Sequence, residues 1–430
     1  MSSRTPGVAL SLLLALGAAC RPGEPETPPL DPIAQRYASL VLALGEHDPN
    51  YVDAFYGPDS LRLSARSESL SVADIRAEAD SLAALLGDAP AGGASPDGLR
   101  HRYLRAQLVA MATHARMLGG ERLTFDEEAR MLYDTVPPHY EDAHYDSLLG
   151  RLDSLLAGPG TLATRYEAFR GRTSIPSSRV DTVFRTAIAA CRARTLRHMA
   201  LPAGERFDLE YVTGTSWNAY NWYQGGYHSL IQVNLDFPIA IDRAVDLACH
   251  EGYPGHHVYN AKLEEELVRN RGWTEFSVYP LFSPMSLIAE GTANYGIDMA
   301  FPSAERTAFE RDTLFPLAGL DPSLAERNAR VREIMERLNY ARNEVARRLL
   351  DGEIDSAAAV AAMQRYWLQS PEAAAKTVRF IRTYRSYVIN YNFGRDLARQ
   401  AVERAATPDG RWTAFVALLS SPRVASTIGE

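Results

Sequence analysis

Four residues of this 430-residue chain have types and spacing suited to metal-assisted hydrolysis: His250, Glu251, His256 and Glu290. Imidazoles and a carboxylate are good zinc donors, and three protein donors leave a position open for water or substrate. The segment beginning Ala248-Cys-His-Glu-Gly-Tyr-Pro-Gly-His-His257 opens like His-Glu-x-x-His. In that signature two histidines four apart share a helix face and the glutamate faces the water. Here the fourth residue after His250 is Pro254, and the next histidine is His256. On a straight helix His256 lies about 240° around from His250, while His257 is in line but about 10 Å along the axis. Neither can share an ion with His250 unless the helix deforms. Pro254 lacks an N–H and clashes with the carbonyl of His250. Gly255 permits backbone angles that other residues avoid, and Gly252 loosens the turn. Together they predict a bulge that absorbs two residues and brings His256 under His250; an unbroken helix through Pro254 would leave no site.

The third ligand should be acidic and come from a following helix. Glu290 stands in an apolar run, Leu287-Ile-Ala-Glu290, and a buried carboxylate needs a partner such as a metal. Asn294, one turn on, could orient a ligand, and Asp298 follows a turn later. Glu251 is the expected general base. An oxyanion needs a donor, for which Tyr391 is the first candidate, with Tyr295 and His228 behind it. His257 is expected to face substrate or support a ligand. The segment Tyr227 to Asn234 reads as a strand that could pair with an extended substrate. Arg382 and Arg385 could bind a substrate carboxylate. His139 and His144 are five apart, poor spacing for a second metal, and read as surface loop residues. Cys249 reads as core packing, and whether it pairs with Cys191 is open.

The segment His250-Glu-Gly-Tyr-Pro-Gly-His256 resembles the hallmark His-Glu-x-x-Pro-Gly-His of the bacterial family catalogued as domain of unknown function 885. Glu290-Gly-Thr-Ala-Asn-Tyr295 is similar to that family's Glu-Gly-Trp-Ala-x-Tyr block, with Thr292 in place of Trp. A further family acidic position falls on Ile297. Tyr391-Asn-Phe-Gly394 and Asn218-Ala-Tyr220 are similar to two other family blocks. The resemblance spans roughly 218–394 and implies a mostly helical fold, akin to zinc peptidases with a glutamate third ligand. It supplies no substrate.

The elements that must position these residues are mostly helical. Apolar residues at three- and four-residue spacing mark helices near 75–86 and 99–118. Phe207 to Val212 and Tyr227 to Asn234 alternate like strands. Ser283-Pro284, Asp321-Pro322 and Ser370-Pro371 read as helix starts, with the second helix running to Leu350 and the third to about Ile389. The fold expected is mainly α with a small β-sheet, like a zinc metallopeptidase of the gluzincin type. It forms one catalytic domain over 33–430, comprising a helical part (33–205), a motif-bearing core (206–300) and a C-terminal helical part (301–430). Ahead of it, Arg4, the apolar run Val8 to Leu16 and the small residues before Cys20 read as a signal peptide over 1–20. Cys20 is the expected lipidation site, although Gly17 stands where a lipobox has Leu. The Pro-rich stretch 21–32 reads as a tether. The expected place is the bacterial cell envelope, with membrane contact only through a lipid anchor. A net charge of −8 with no basic run argues against nucleic-acid binding. The reading is a zinc peptidase with one Zn2+ and a peptide substrate. The alternatives are a zinc hydrolase of other amides or esters, and a lipoprotein that keeps the metal but only binds.

Overall fold

A computed structural model describes residues 29–88, 95–215, 217–236 and 238–430. The signal segment, Cys20 and most of the tether lie outside these residues. The chain is mainly α-helical with two small sheets. The first helix, Leu30–Gly45, begins inside the stretch expected to be tether. Pro32 falls in its first turn, where a missing N–H costs nothing. The helices expected near 75–86 and 99–118 are Val72–Leu86 and Pro96–Leu118. Buried apolar side chains run in one cluster from Ile33 to Val424. No helix among the described residues is long and apolar enough to cross a membrane.

Strand β1 (Val52–Phe55) pairs antiparallel with β5 (Val278–Pro280). The larger sheet joins β2 (Arg206–Val212), β3 (Ala219–Gly225) and β4 (His228–Asn234) in the order β2-β4-β3. β4 is therefore the central strand, parallel to β2 and antiparallel to β3. Both its edges are taken, so it cannot accept a substrate strand as the sequence suggested. β3 lies at the sheet edge.

Two expected helices are interrupted. The one opened by Asp321-Pro322 splits at Asn339–Tyr340 into Ala325–Leu338 and Ala341–Leu350. The one opened by Ser370, whose hydroxyl caps Ala373 N–H, ends at Tyr384. Arg385 then takes a φ of 53°, and a tight turn, Arg385–Val388, leads into the helix Ile389–Val402. The cause is tertiary. Buried Glu128 accepts hydrogen bonds from Ser386 N–H (2.9 Å), the Ser386 hydroxyl (2.5 Å) and Arg385 (2.6 Å).

Candidate metal centre

The deformation at Pro254 is larger than a bulge. The helix Asp242–Leu247 widens into a π-helical turn, Ala248–Gly252, and then stops. Tyr253 is extended, the Tyr253–Pro254 bond is cis, and a new helix, His256–Leu263, starts at the second histidine. Gly255 donates its N–H to Cys249 O at 2.9 Å. A Cβ on Gly255 would lie 1.8 Å from His250 O, so only glycine fits this fold-back.

Neighbouring elements hold the break on both sides. Glu205, just before β2, accepts from the Tyr253 hydroxyl at 2.7 Å and lies 3.0 Å from His257 Nε2. The other His257 nitrogen lies 2.8 Å from the Ser229 hydroxyl of β4. His257 is fully buried in this clamp, so of its two expected roles it takes the supporting one and does not face substrate. Burial raises the Glu205 pKa, but bonds from His257, Tyr253 and Arg192 outweigh it and leave the carboxyl below its usual range. Asn221 of β3 donates to Glu251 O at 2.7 Å, tying the turn to the edge strand. A disulfide, Cys191–Cys249, fastens the turn to the helix Val180–Thr195.

The fold-back places His256 Nε2 3.2 Å from His250 Nε2. Glu290, on the helix Pro284–Ala300, brings Oε2 to 3.4 Å from His250 Nε2 and 3.7 Å from His256 Nε2. These are the three residues that gather as metal donors among the described residues. Two donors about 2.05 Å from one ion in tetrahedral positions stand about 3.3 Å apart, so the spacings fit a zinc ion. Glu290 Oε2 is buried and has no hydrogen-bond partner, an arrangement that is costly without a cation. Its other oxygen accepts from the Tyr387 hydroxyl at 2.9 Å. Glu251, 5% exposed, points Oε1 to 4.0 Å from His250 Nε2, beside the donor group but outside it.

The electrostatics of the metal-free site match this geometry. Burial lowers the His256 pKa, but the charges of Glu290, Glu251 and Asp53 outweigh it and raise it to about 9. Burial raises that of Glu290, but His256 and His250 hold it well below the usual carboxylate range. Asp53 of β1 is pushed up to about 6 by burial, against a hydrogen bond from Tyr220 and the charge of His256. Tyr391 is half-buried on the helix Ile389–Val402; burial and the charge of Glu290 push its hydroxyl well above its ordinary value. That helix lies close against the glutamate helix because both carry glycine at the crossing. A Cβ on Gly291 would meet Gly394 O at 2.5 Å.

Other expected residues stand apart from the donor group. Asn294 donates to Glu290 O at 3.0 Å, within its own helix. Tyr295 is buried against Phe415. His228 pairs with Asp208 on the sheet. Asp298 bonds Arg395 and Arg399. Arg385 is committed to Glu128, and Arg382 bonds Ser356. His139 pairs with Asp126, and His144 stacks on Tyr140. Sequence reasoning missed Asp53, Asn221, Glu205 and Tyr387, and named Tyr220 only as part of a family block. Tyr387 lies four residues before Tyr391, and that spacing was the one available signal.

No family model matches the chain, and no curated protein matches it. Among solved structures, one described as that of a candidate lipoprotein from Colwellia psychrerythraea shares the fold, with a TM-score of 0.53 at 13% identity. The match covers 84% of this chain, which spans only 63% of that protein's length. The M32 carboxypeptidase from Deinococcus radiodurans R1 aligns over 91% of this chain and 88% of its own, at 15% identity and a TM-score of 0.38. The structure called BsuCP aligns over 90% and 88%, at 12% identity and a TM-score of 0.43.

Proposed function

We propose that this chain is an exported zinc-dependent peptidase, related to the domain of unknown function 885 family by its His-Glu-x-x-Pro-Gly-His segment. The observation that carries the reading is the buried Glu290 Oε2, which has no hydrogen bond yet faces two imidazole nitrogens at the spacing of a tetrahedral site. His250, His256 and Glu290 would hold the ion. Zinc, when bound, would supply Lewis-acid polarisation of a carbonyl and a lowered pKa for water. Glu251, sheltered next to the donors, takes a proton from the attacking water and returns it to the leaving amine. Tyr387 fixes the Glu290 carboxylate through its second oxygen. Tyr391, kept protonated by burial, is the proposed donor toward the developing oxyanion. Of the two edge strands of the larger sheet, β2 and β3, it is β3, tied to Glu251 O by Asn221, that would guide an extended peptide. The disulfide suits an oxidising compartment and so supports export.

The test is zinc content and peptide hydrolysis. Protein purified without chelator should carry about one zinc per chain, lost in His250→Ala. Glu251→Gln should keep the zinc and lose activity by about 10²–10⁴-fold on a peptide library. Folded wild type that takes up no added zinc overturns the reading. Hydrolysis of simple esters or amides but of no peptide moves the assignment to another zinc hydrolase.

A further inference from the structure

One charged side chain near the centre makes no direct ion pair with a carboxylate among the described residues. Arg342 opens the helix Ala341–Leu350, just after the unexpected break at Asn339–Tyr340. Its guanidinium lies 5.3 Å from the Trp367 ring centroid and 5.0 Å from that of Tyr391. Its Nε is buried with no hydrogen-bond partner, and no carboxylate among the described residues meets it. The contrast with the buried arginines is sharp. Arg100 meets Glu275 and Asp31, Arg306 meets Asp246 and Glu310, and Arg347 meets Asp126 and Glu344. Arg342 is half-buried, and leaving its buried Nε without a partner is costly, so an arginine kept this way suits an anion from outside the chain.

Location and geometry say which anion. Tyr391, one of the rings against the guanidinium, packs edge-on against Tyr387 at 5.7 Å between centroids, and Tyr387 bonds Glu290. Arg342 is thus two aromatic rings from a metal donor, and the negative charge of Glu290 is felt at the guanidinium. Aromatic contacts hold the plane of a guanidinium while leaving its N–H edge unused, and that edge matches the two oxygens of a carboxylate. Arg382 and Arg385, the candidates from sequence, already have partners.

We infer that Arg342 is the specificity residue of the centre and binds a carboxylate of the peptide substrate beside the scissile bond. The inference rests on the peptidase reading. It makes a peptide with a free C-terminal carboxylate the favoured substrate class, with cleavage close to that end; an acidic side chain near the bond offers the same chemistry.

The experiment compares zinc-loaded wild type, Arg342→Met and Arg342→Lys on N-acylated tripeptides. Each peptide is offered as the free acid, as the C-terminal amide, and as an amide carrying Asp beside the scissile bond. Wild type should favour one carboxylate-bearing form over the plain amide by roughly ten- to a hundredfold in kcat/KM, the worth of a charge-assisted bidentate contact. Which form wins identifies the source of the carboxylate. In Arg342→Met the ratio should fall toward one with zinc content unchanged, and Arg342→Lys should fall between. Wild-type rates equal on all three forms overturn the inference and leave the peptidase reading standing. If no peptide is cleaved, calorimetry with an N-acetyl amino acid and its amide decides separately. Acid-selective binding lost in Arg342→Met keeps the inference, and its absence in wild type ends it. Arg342→Met should also raise the Tm of the ligand-free protein, because it removes a buried donor, Nε, that has no partner. A lowered Tm with unchanged selectivity would make the residue structural and overturn the inference.

Discussion

At the residue scale the donor group, without a metal ion, behaves as a proton site. His256 then binds a proton with a pKa of about 9, against an ordinary 6.5, because the carboxylates around it outweigh its burial. A raised folded-state pKa stabilises the fold fully below pH 6.5, and that stabilisation is lost as pH rises through 9. Glu290 has the opposite sign: its depressed pKa contributes above about 4.5 and is lost only in acid. Between pH 6.5 and 9 only the histidine contribution changes. Chelated protein should therefore lose Tm steadily across that window, while zinc-loaded protein should not. Zinc binding at pH 7.5 should release about one proton, since a ligating imidazole must be neutral. Calorimetry in buffers of different ionisation enthalpy reads that proton. A flat Tm in chelated protein from pH 6.5 to 9 would remove the ion pair between His256 and Glu290 from the description.

At the element scale the centre is made by interruptions. Gly255 shows how tight the main one is, with His250 O 1.8 Å from where its Cβ would stand; Gly252, three residues earlier, has ordinary clearance of 3.4 Å from Phe207. Gly255→Ala should unfold the turn and abolish zinc uptake, whereas Gly252→Ala should keep both fold and metal. Melting curves and zinc content check the pair, and a zinc-binding Gly255→Ala would contradict the geometry. The break at Pro254 was legible because proline and glycine act locally, and their sequence names the position. Its form was not: the sequence suggested a bulge, and the chain instead stops one helix and starts another, because Glu205 grips Tyr253 and His257 from across the fold. The turn at Arg385 left no local mark either. Buried Glu128, 257 residues earlier, sets it. On an unbroken helix Tyr387 and Tyr391 would share a face, so sequence could not choose which of them bonds Glu290.

At the scale of the whole molecule the centre draws on segments far apart in the chain. Asp53 comes from a four-residue strand near the start, the two histidines from the middle, and Tyr387 from near the end. Contiguous motifs could reveal the histidines and Glu251, and an isolated acid in an apolar run pointed to Glu290. Nothing around Asp53 or Arg342 sets them apart until the chain is folded. Long-range ties therefore matter, and the disulfide between Cys191 and Cys249 is the covalent one, closing a separation of 58 residues next to His250. Removing a cross-link of that span lets the unfolded chain regain loop entropy, worth about 2–4 kcal/mol. The double variant Cys191→Ala/Cys249→Ala should show a guanidinium midpoint lowered by that amount of stability. It should still take up one zinc, because His250, His256 and Glu290 are untouched, but release it to chelator faster as the turn Ala248–Gly252 loses its fastening to the helix Val180–Thr195. An unchanged midpoint would mean that noncovalent packing of the turn against that helix already supplies the restraint, and the clamp at Glu205 would then be the tie on which the centre depends.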